Sequence, residues 1–263
     1  MGDQMNELTV EETQKKLLID HVIALGDDAL ILSQRLIEWC SNAPFLEEDL
    51  ALSNVALDFL GRARMLYQYA VELEGNVRTE DDIAFLRDSR EFKNHLIYEL
   101  PRGDFAFSMA RQLIIDVYNR LFLEQLLQSK DERLAAIAQK SIKETQYHLR
   151  RSQEWIFRLG DGTTESHQRL QTAMDDLWGY SKELFESHPS EASLIEAGIA
   201  VDRTKLQDAW RTKMNTILAQ ATLEQPDDNW HQTGGRDGLH SDHLGMLLPE
   251  LQFMQRAYPD LEW

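Results

Sequence analysis

Apolar residues recur at intervals of three and four along almost the whole chain, and no stretch of strand length alternates apolar with polar residues. That spacing follows the 3.6-residue turn of an α-helix, which puts the apolar positions on one face that must be buried. From Thr13 to Cys40 the stripe reads Leu18, His21, Leu25, Asp28, Leu32, Leu36 and Trp39, and Pro44 ends the segment. A second run, Leu46 to Leu73, carries Leu50, Leu57, Leu60, Met65 and Tyr69 and closes at Gly75-Asn76. Asp104 stands as an N-cap before a third run, Phe105 to Ser129. The fourth, Asp131 to Leu159, ends at Gly160-Asp161-Gly162. Shorter helical pieces are predicted over 81–100, 163–187, 190–199, 202–223 and 241–258, with Pro249 starting or kinking the last. Only 13 glycines and 6 prolines punctuate 263 residues, too few for a many-stranded β protein.

The four long runs are each roughly 40 Å in length at 1.5 Å per residue. Long helices of matched length predict an all-α four-helix bundle with additional short helices packed outside it. The connection from Gly75 to Asp104 joins the second and third long helices and carries its own helix. A crossover of that kind distinguishes ferritin-like bundles from simple up-and-down ones. No internal repeat or composition break divides the chain, so one ferritin-like domain over 1–263 is expected. Residues 1–12 are read as a flexible N-terminus and 225–263 as a C-terminal extension packing on the bundle.

Charge narrows the function. With 27 basic against 45 acidic residues the net charge is −18, which repels phosphate backbones and anionic headgroups. Nucleic acid and membrane surfaces are therefore excluded as partners. Cys40 has no second cysteine to pair with, and no Cys/His cluster suggests zinc. The opening Met1-Gly2-Asp3-Gln4 is polar, and no apolar run approaches the ~18 residues of a membrane span. A cytoplasmic location is the expectation.

A ferritin-like bundle raises the question of a metal. A di-iron carboxylate site takes a carboxylate from each of two helices and a Glu-x-x-His from each of the other two, because positions i and i+3 share a face. No Glu-x-x-His occurs in the four long runs. The first long helix offers Asp27 and Asp28 instead, and the second has Asp58 with Gly61 three residues on. Asp116 stands in the third with Arg120 one turn later. The fourth has Glu144, followed by Tyr147 at +3 and His148 at +4. One reading is an iron-binding oxygenase that uses Asp27, Asp58, Asp116, Glu144 and His148. The other is a degenerate site whose acids are paired inside the core with Arg62, Arg120, Tyr147 or His148, since lone buried charge is very costly. The second is preferred here, with Asp116–Arg120 as its expected internal pair.

Other features carry less. His240 and His243 flank Ser241 and Asp242, which read as a helix N-cap rather than a metal site. Gly234–Gly238 reads as a turn, without the spacing of a phosphate loop. Cys40 is expected packed in a helix end, and Trp39, Trp155, Trp178 and Trp210 as core or interface anchors. No GxSxG elbow supports hydrolase chemistry.

Several segments are nevertheless distinctive. Leu25-Gly-Asp27, Leu32-Ser-Gln-Arg35 and Glu38-Trp-Cys40 open the chain, and Asp49-Leu-Ala-Leu52 leads into Leu57-Asp58-Phe-Leu-Gly61-Arg-Ala-Arg64. Further on stand Ile142-Lys-Glu-Thr-Gln-Tyr-His-Leu-Arg150, Arg158-Leu-Gly-Asp-Gly-Thr163 and Glu196-Ala-Gly-Ile-Ala-Val-Asp202. Thr233-Gly-Gly-Arg-Asp-Gly-Leu-His240 and His243-Leu-Gly245 follow. Together, from about Leu17 to Trp263, they resemble the PaaC-type subunits of bacterial phenylacetyl-CoA epoxygenase complexes. The resemblance implies a ferritin-like fold and a sister subunit that carries the di-iron centre and converts phenylacetyl-CoA to its ring 1,2-epoxide. Oxygen and NADPH-derived electrons are consumed; the electrons arrive through a reductase subunit, and a further small subunit belongs to the assembly. It further implies a structural role for this chain with no cofactor of its own. Gly61 and Tyr147 then stand where an active chain would carry histidines. Pairing with the catalytic subunit through equivalent helix faces is expected, and a homodimer of the isolated chain is open for the same reason. Gripping coenzyme A falls to the partner, given the acidic surface of this chain.

Overall fold

A computed structural model describes residues 9–259 and residue 261. The fold is all-α, and among the described residues there is no strand. The first hairpin pairs α1 (Val10–Ile37) with α2 (Leu46–Glu74). The crossover carries α3 (Glu80–Phe85) and α4 (Leu96–Glu99), and the second hairpin pairs α5 (Phe105–Leu126) with α6 (Glu132–Gly160). Outside this bundle lie α7 (Thr164–Ser181), α8 (Ala192–Glu196), α9 (Gln207–Gln220) and α10 (Asp242–Ala257).

Local caps explain several boundaries. Asp104 accepts from Phe107 N at 2.8 Å to start α5, and Asp131 accepts from Leu134 N at 2.9 Å to start α6. Gly75 ends α2 in the left-handed region, at φ 84°. Two ends differ from expectation. Thr9 and Glu12 form a reciprocal capping box, so α1 begins at Val10, inside the segment read as flexible. Residues 1–8 of that segment lie outside the described residues. At the other end α1 stops at Ile37, which leaves Cys40 exposed in a turn instead of packed in a helix end.

Within the hairpins the contacts are largely apolar, but α2 and α6 meet through a ladder of polar pairs. Arg151 reaches Glu48, His148 lies 2.9 Å from Asp58, and Arg62 donates to Thr145 at 2.9 Å. Farther along, Tyr69 donates to Asp131 at 2.5 Å and Arg133 to Glu72 at 3.1 Å.

The crossover departs most from its prediction. A continuous helix over 81–100 is replaced by α3, a 3-10 turn at Ser89–Glu91 and the four-residue α4. Buried carboxylates take the backbone N–H groups that a helix would use. Lys93 N donates to Asp27 Oδ2 at 2.8 Å, His95 N to Asp28 Oδ1 at 2.8 Å, and Leu96 N to Glu183 Oε2 at 2.7 Å. A carboxylate is a stronger acceptor than a peptide carbonyl, so the irregular path wins.

Asp28 also receives Arg236 Nη2 at 2.6 Å, which brings the C-terminal segment against α1. Ser241 caps α10, whose Gln252 donates to the Arg87 carbonyl at 3.0 Å across the crossover. Burial drives the Asp28 pKa upward, but the Arg236 charge and His95 outweigh it and hold the carboxyl at about 2. A folded-state value below the ordinary 3.8 means stability that is present above about pH 4 and lost as pH falls toward 2. Asp28→Asn strands Arg236 in the interior and is expected to cost about 3–5 kcal/mol in urea unfolding at pH 7. The gap between variant and wild type should narrow as the titration approaches pH 2.

Candidate functional site

Three helices bring polar side chains together inside the bundle. On α2, Asp58 and Arg62 lie one turn apart. Asp116 comes from α5, and Glu144, Thr145, His148 and Ser152 come from α6. His148 is buried, hydrogen-bonded to Asp58 and stacked on the Phe59 ring at 5.3 Å. The Arg62 guanidinium lies 4.9 Å over the same ring. Asp116 has no solvent exposure and accepts from Gln112 Nε2 at 2.7 Å and from Ser152 Oγ at 2.8 Å.

The electrostatics follow from burial. Desolvation lowers the Arg62 pKa, opposed by the charges of Tyr98, Glu144, Asp116 and Asp58. Burial raises Glu144, and Asp58 adds to the rise. Asp116 is pushed up to about 6 by burial, against the pull of His148, Ser152 and Gln112. The nearby interior void, lined by Asp28, Phe59, Arg62 and Tyr98 among others, measures about 30 Å³. That is room for about one water and far too little for an organic substrate.

Asp58, Asp116, Glu144 and His148, singled out from sequence, thus gather around Arg62. Asp27 does not join them. It faces the crossover, accepting from Tyr67 Oη at 2.6 Å and paired with Arg87. Arg120 is not the partner of Asp116. It reaches Glu124 at 2.7 Å, one turn along α5. Tyr147 is 42% exposed on α6 and pairs with none of the acids, and a side chain added at Gly61 would meet no atom within 4 Å. Among the described residues, no three His, Cys, Asp or Glu side chains converge to hold a metal ion.

A second polar layer, between α1, the crossover and the C-terminal segment, escaped the sequence reading. His95 Nε2 accepts from Arg203 at 3.1 Å, so its proton sits on Nδ1, 3.2 Å from Asp28. Burial and the Arg236 charge push its pKa down to about 4. Glu191 receives Arg203 at 2.5 Å and lies 2.9 Å from His21. His240 places Nδ1 2.7 Å from Glu99 and Nε2 2.8 Å from the Phe92 carbonyl. Both nitrogens face acceptors, so the ring donates twice and has no lone pair for a metal. The one signal in the sequence was the 233–240 segment, whose Gly234 and Gly235 amides bind Glu183 at 3.0 and 2.7 Å.

A family model described as phenylacetic acid catabolic protein matches residues 1–263. The chain belongs to that family. It is also 45% identical, over 259 residues, to the C subunit of 1,2-phenylacetyl-CoA epoxidase from Escherichia coli (strain K12), covering 98% of this chain and all of the relative. No helix among the described residues is long and apolar enough to cross a membrane.

The raised pKa of Asp116 has a measurable consequence. Between about pH 4 and pH 6 the unfolded chain ionises this carboxyl while the folded chain keeps it protonated, so stability declines as pH rises through that window and levels off above it. Two pKa units correspond to about 3 kcal/mol. Asp116→Asn, which keeps both hydrogen-bond partners, should flatten the decline by about that amount when unfolding free energies at pH 4 and pH 7 are compared.

Proposed function

We propose that this chain is the non-catalytic structural subunit of a multicomponent di-iron monooxygenase that epoxidises phenylacetyl-CoA in aerobic phenylacetate catabolism. It pairs with the catalytic subunit and stabilises it in the cytoplasm. Small and reductase subunits complete the assembly, and the di-iron centre belongs to the catalytic subunit.

The observation that carries this reading is the guanidinium of Arg62, set among Asp58, Asp116 and Glu144 where a ferritin-like oxygenase would gather its metal ligands. A two-iron centre does not suit these side chains. A fixed cation already opposes the acids, and the Asp58 carboxylate is engaged by His148 at 2.9 Å. Ser152 and Gln112 hold both oxygens of Asp116. The helix positions that would supply imidazoles are occupied by Gly61 and Tyr147, and the void beside Arg62, about 30 Å³, is too small for an aromatic thioester. The kinship with one subunit of an epoxidase supports the complex and the substrate named here.

The test is reconstitution. The purified chain with reductase, NADPH, oxygen and phenylacetyl-CoA should give no epoxide, and protein prepared without chelator should carry only a trace of iron. Adding the catalytic subunit should restore turnover and yield a co-eluting complex. Two irons per chain, or epoxide from this chain without its sister, would instead support the iron-binding oxygenase.

A further inference from the structure

A cleft of about 840 Å³ opens on the outside of the bundle, between α7, the start of α5 and the segment that follows α9. Its walls carry charge of one sign. Asp175 and Asp176 come from α7, Glu224 and Asp227 from the later segment, and no lysine or arginine lines the cleft. All four acids are exposed. The nearby cations are committed elsewhere, since Lys182 and Arg211 both pair with Asp228, at 3.0 and 2.9 Å. The cleft also has aromatic walls. Trp230 packs on Gly179 so closely that an added Cβ would fall 2.2 Å from its ring, and it meets Tyr180 edge-to-face at 5.4 Å. Burial raises the Tyr180 pKa, and the charges of Glu99 and Asp176 add to the rise, so acid and ring share one field. The backbone of the same wall is unpaired. From Gln225 to His231 the chain is neither helix nor strand, and among the described residues it makes no backbone–backbone hydrogen bond.

We propose that this cleft docks an extended basic segment of a partner protein. Lysine or arginine side chains of that segment meet the four carboxylates and the faces of Trp230 and Tyr180, while its backbone pairs with residues 225–231. Each feature asks for a different part of the occupant. Carboxylates in a concave site with low-dielectric walls focus a negative potential on the space between them. A cation held there gains from the acids and from the ring faces together. An unpaired, accessible run of backbone is what a second extended chain uses in strand addition. The volume lies toward the upper end of the range for ligand pockets, so it takes several residues of chain at once. A free polyamine carries the charge but offers nothing to that backbone, and a phosphate-bearing molecule is repelled. A basic stretch of polypeptide supplies all three. The cleft offers this chemistry whether or not the chain serves in an epoxidase.

Fluorescence anisotropy on the purified full chain tests it, with a fluorescein-labelled nonapeptide of alternating lysine and glycine as probe, at about 0.15 M salt. The probe should bind, and its counterpart with glutamate for lysine should not. Asp176→Asn with Asp227→Asn should weaken binding about tenfold, and Trp230→Ala about threefold. Both aspartates are exposed, so the melting midpoint of the double variant should not move. Glu132→Gln with Asp208→Asn removes the same charge from exposed sites on α6 and α9 and should change affinity by less than about twofold. Methylating the backbone nitrogens of the probe should cost a further factor of about ten. No binding at this salt, or equal losses from the cleft pair and the remote pair, would overturn the proposal. Spermine that competes as well as the probe, together with no effect of backbone methylation, would also overturn it and make the cleft a polyamine site.

Discussion

A carboxylate taken out of water must find a cation, a hydrogen-bond donor or a proton, and the architecture of this bundle is built around that requirement. Asp27 and Asp28 sit side by side in the middle of α1, both buried, and neither is satisfied by its own helix. Asp27 draws in Tyr67, Arg87 and the backbone of Lys93, while Asp28 draws in His95 and Arg236. The crossover takes an irregular path because these two acids hold its amides. The C-terminal segment lies where it does because Arg236 must reach Asp28.

The same rule governs the interior between α2, α5 and α6, with a different outcome. There the acids are distributed around Arg62 and His148, and Asp116 meets burial by binding its proton more tightly. A bundle without metal-binding histidines can keep its buried carboxylates only if a cation, a hydrogen-bond donor or a proton takes the place of the metal. Arg62, fixed to Thr145 and resting on Phe59, is placed to do so. On the proposed reading, the subunit keeps the outward shape of an oxygenase while its interior acids are held by hydrogen bonds, by His148 and by the nearby charge of Arg62.

How much of this was legible in the sequence follows from the range of the interactions involved. The long helices were readable because their caps and apolar periods are local: Asp104, Asp131 and Gly75 end or start helices through neighbours three or four positions away. The gathering of Asp58, Asp116, Glu144 and His148 was readable because helical spacing fixes which face each residue shares. The pairing was not. Arg120 looked like the counter-ion of Asp116 by its i+4 spacing, yet a hydroxyl on α6 and an amide one turn back fill that role. Asp27 could not be separated from Asp28 by pattern, since adjacent residues on a helix turn about 100° apart and only tertiary packing decides which faces inward. The crossover failed for the opposite reason: its local sequence favours a helix, and acceptors far away in the chain override it.

The Asp28–Arg236 contact joins positions 208 residues apart. A polypeptide leaving the ribosome has both helices of its first hairpin long before that arginine is synthesised. Until the last few dozen residues emerge, Asp28 lacks its guanidinium and the crossover lacks the brace of α10 behind it. Completion of the N-terminal half is thus coupled to the end of translation, and a truncated product would carry an unfinished first hairpin for quality control to find.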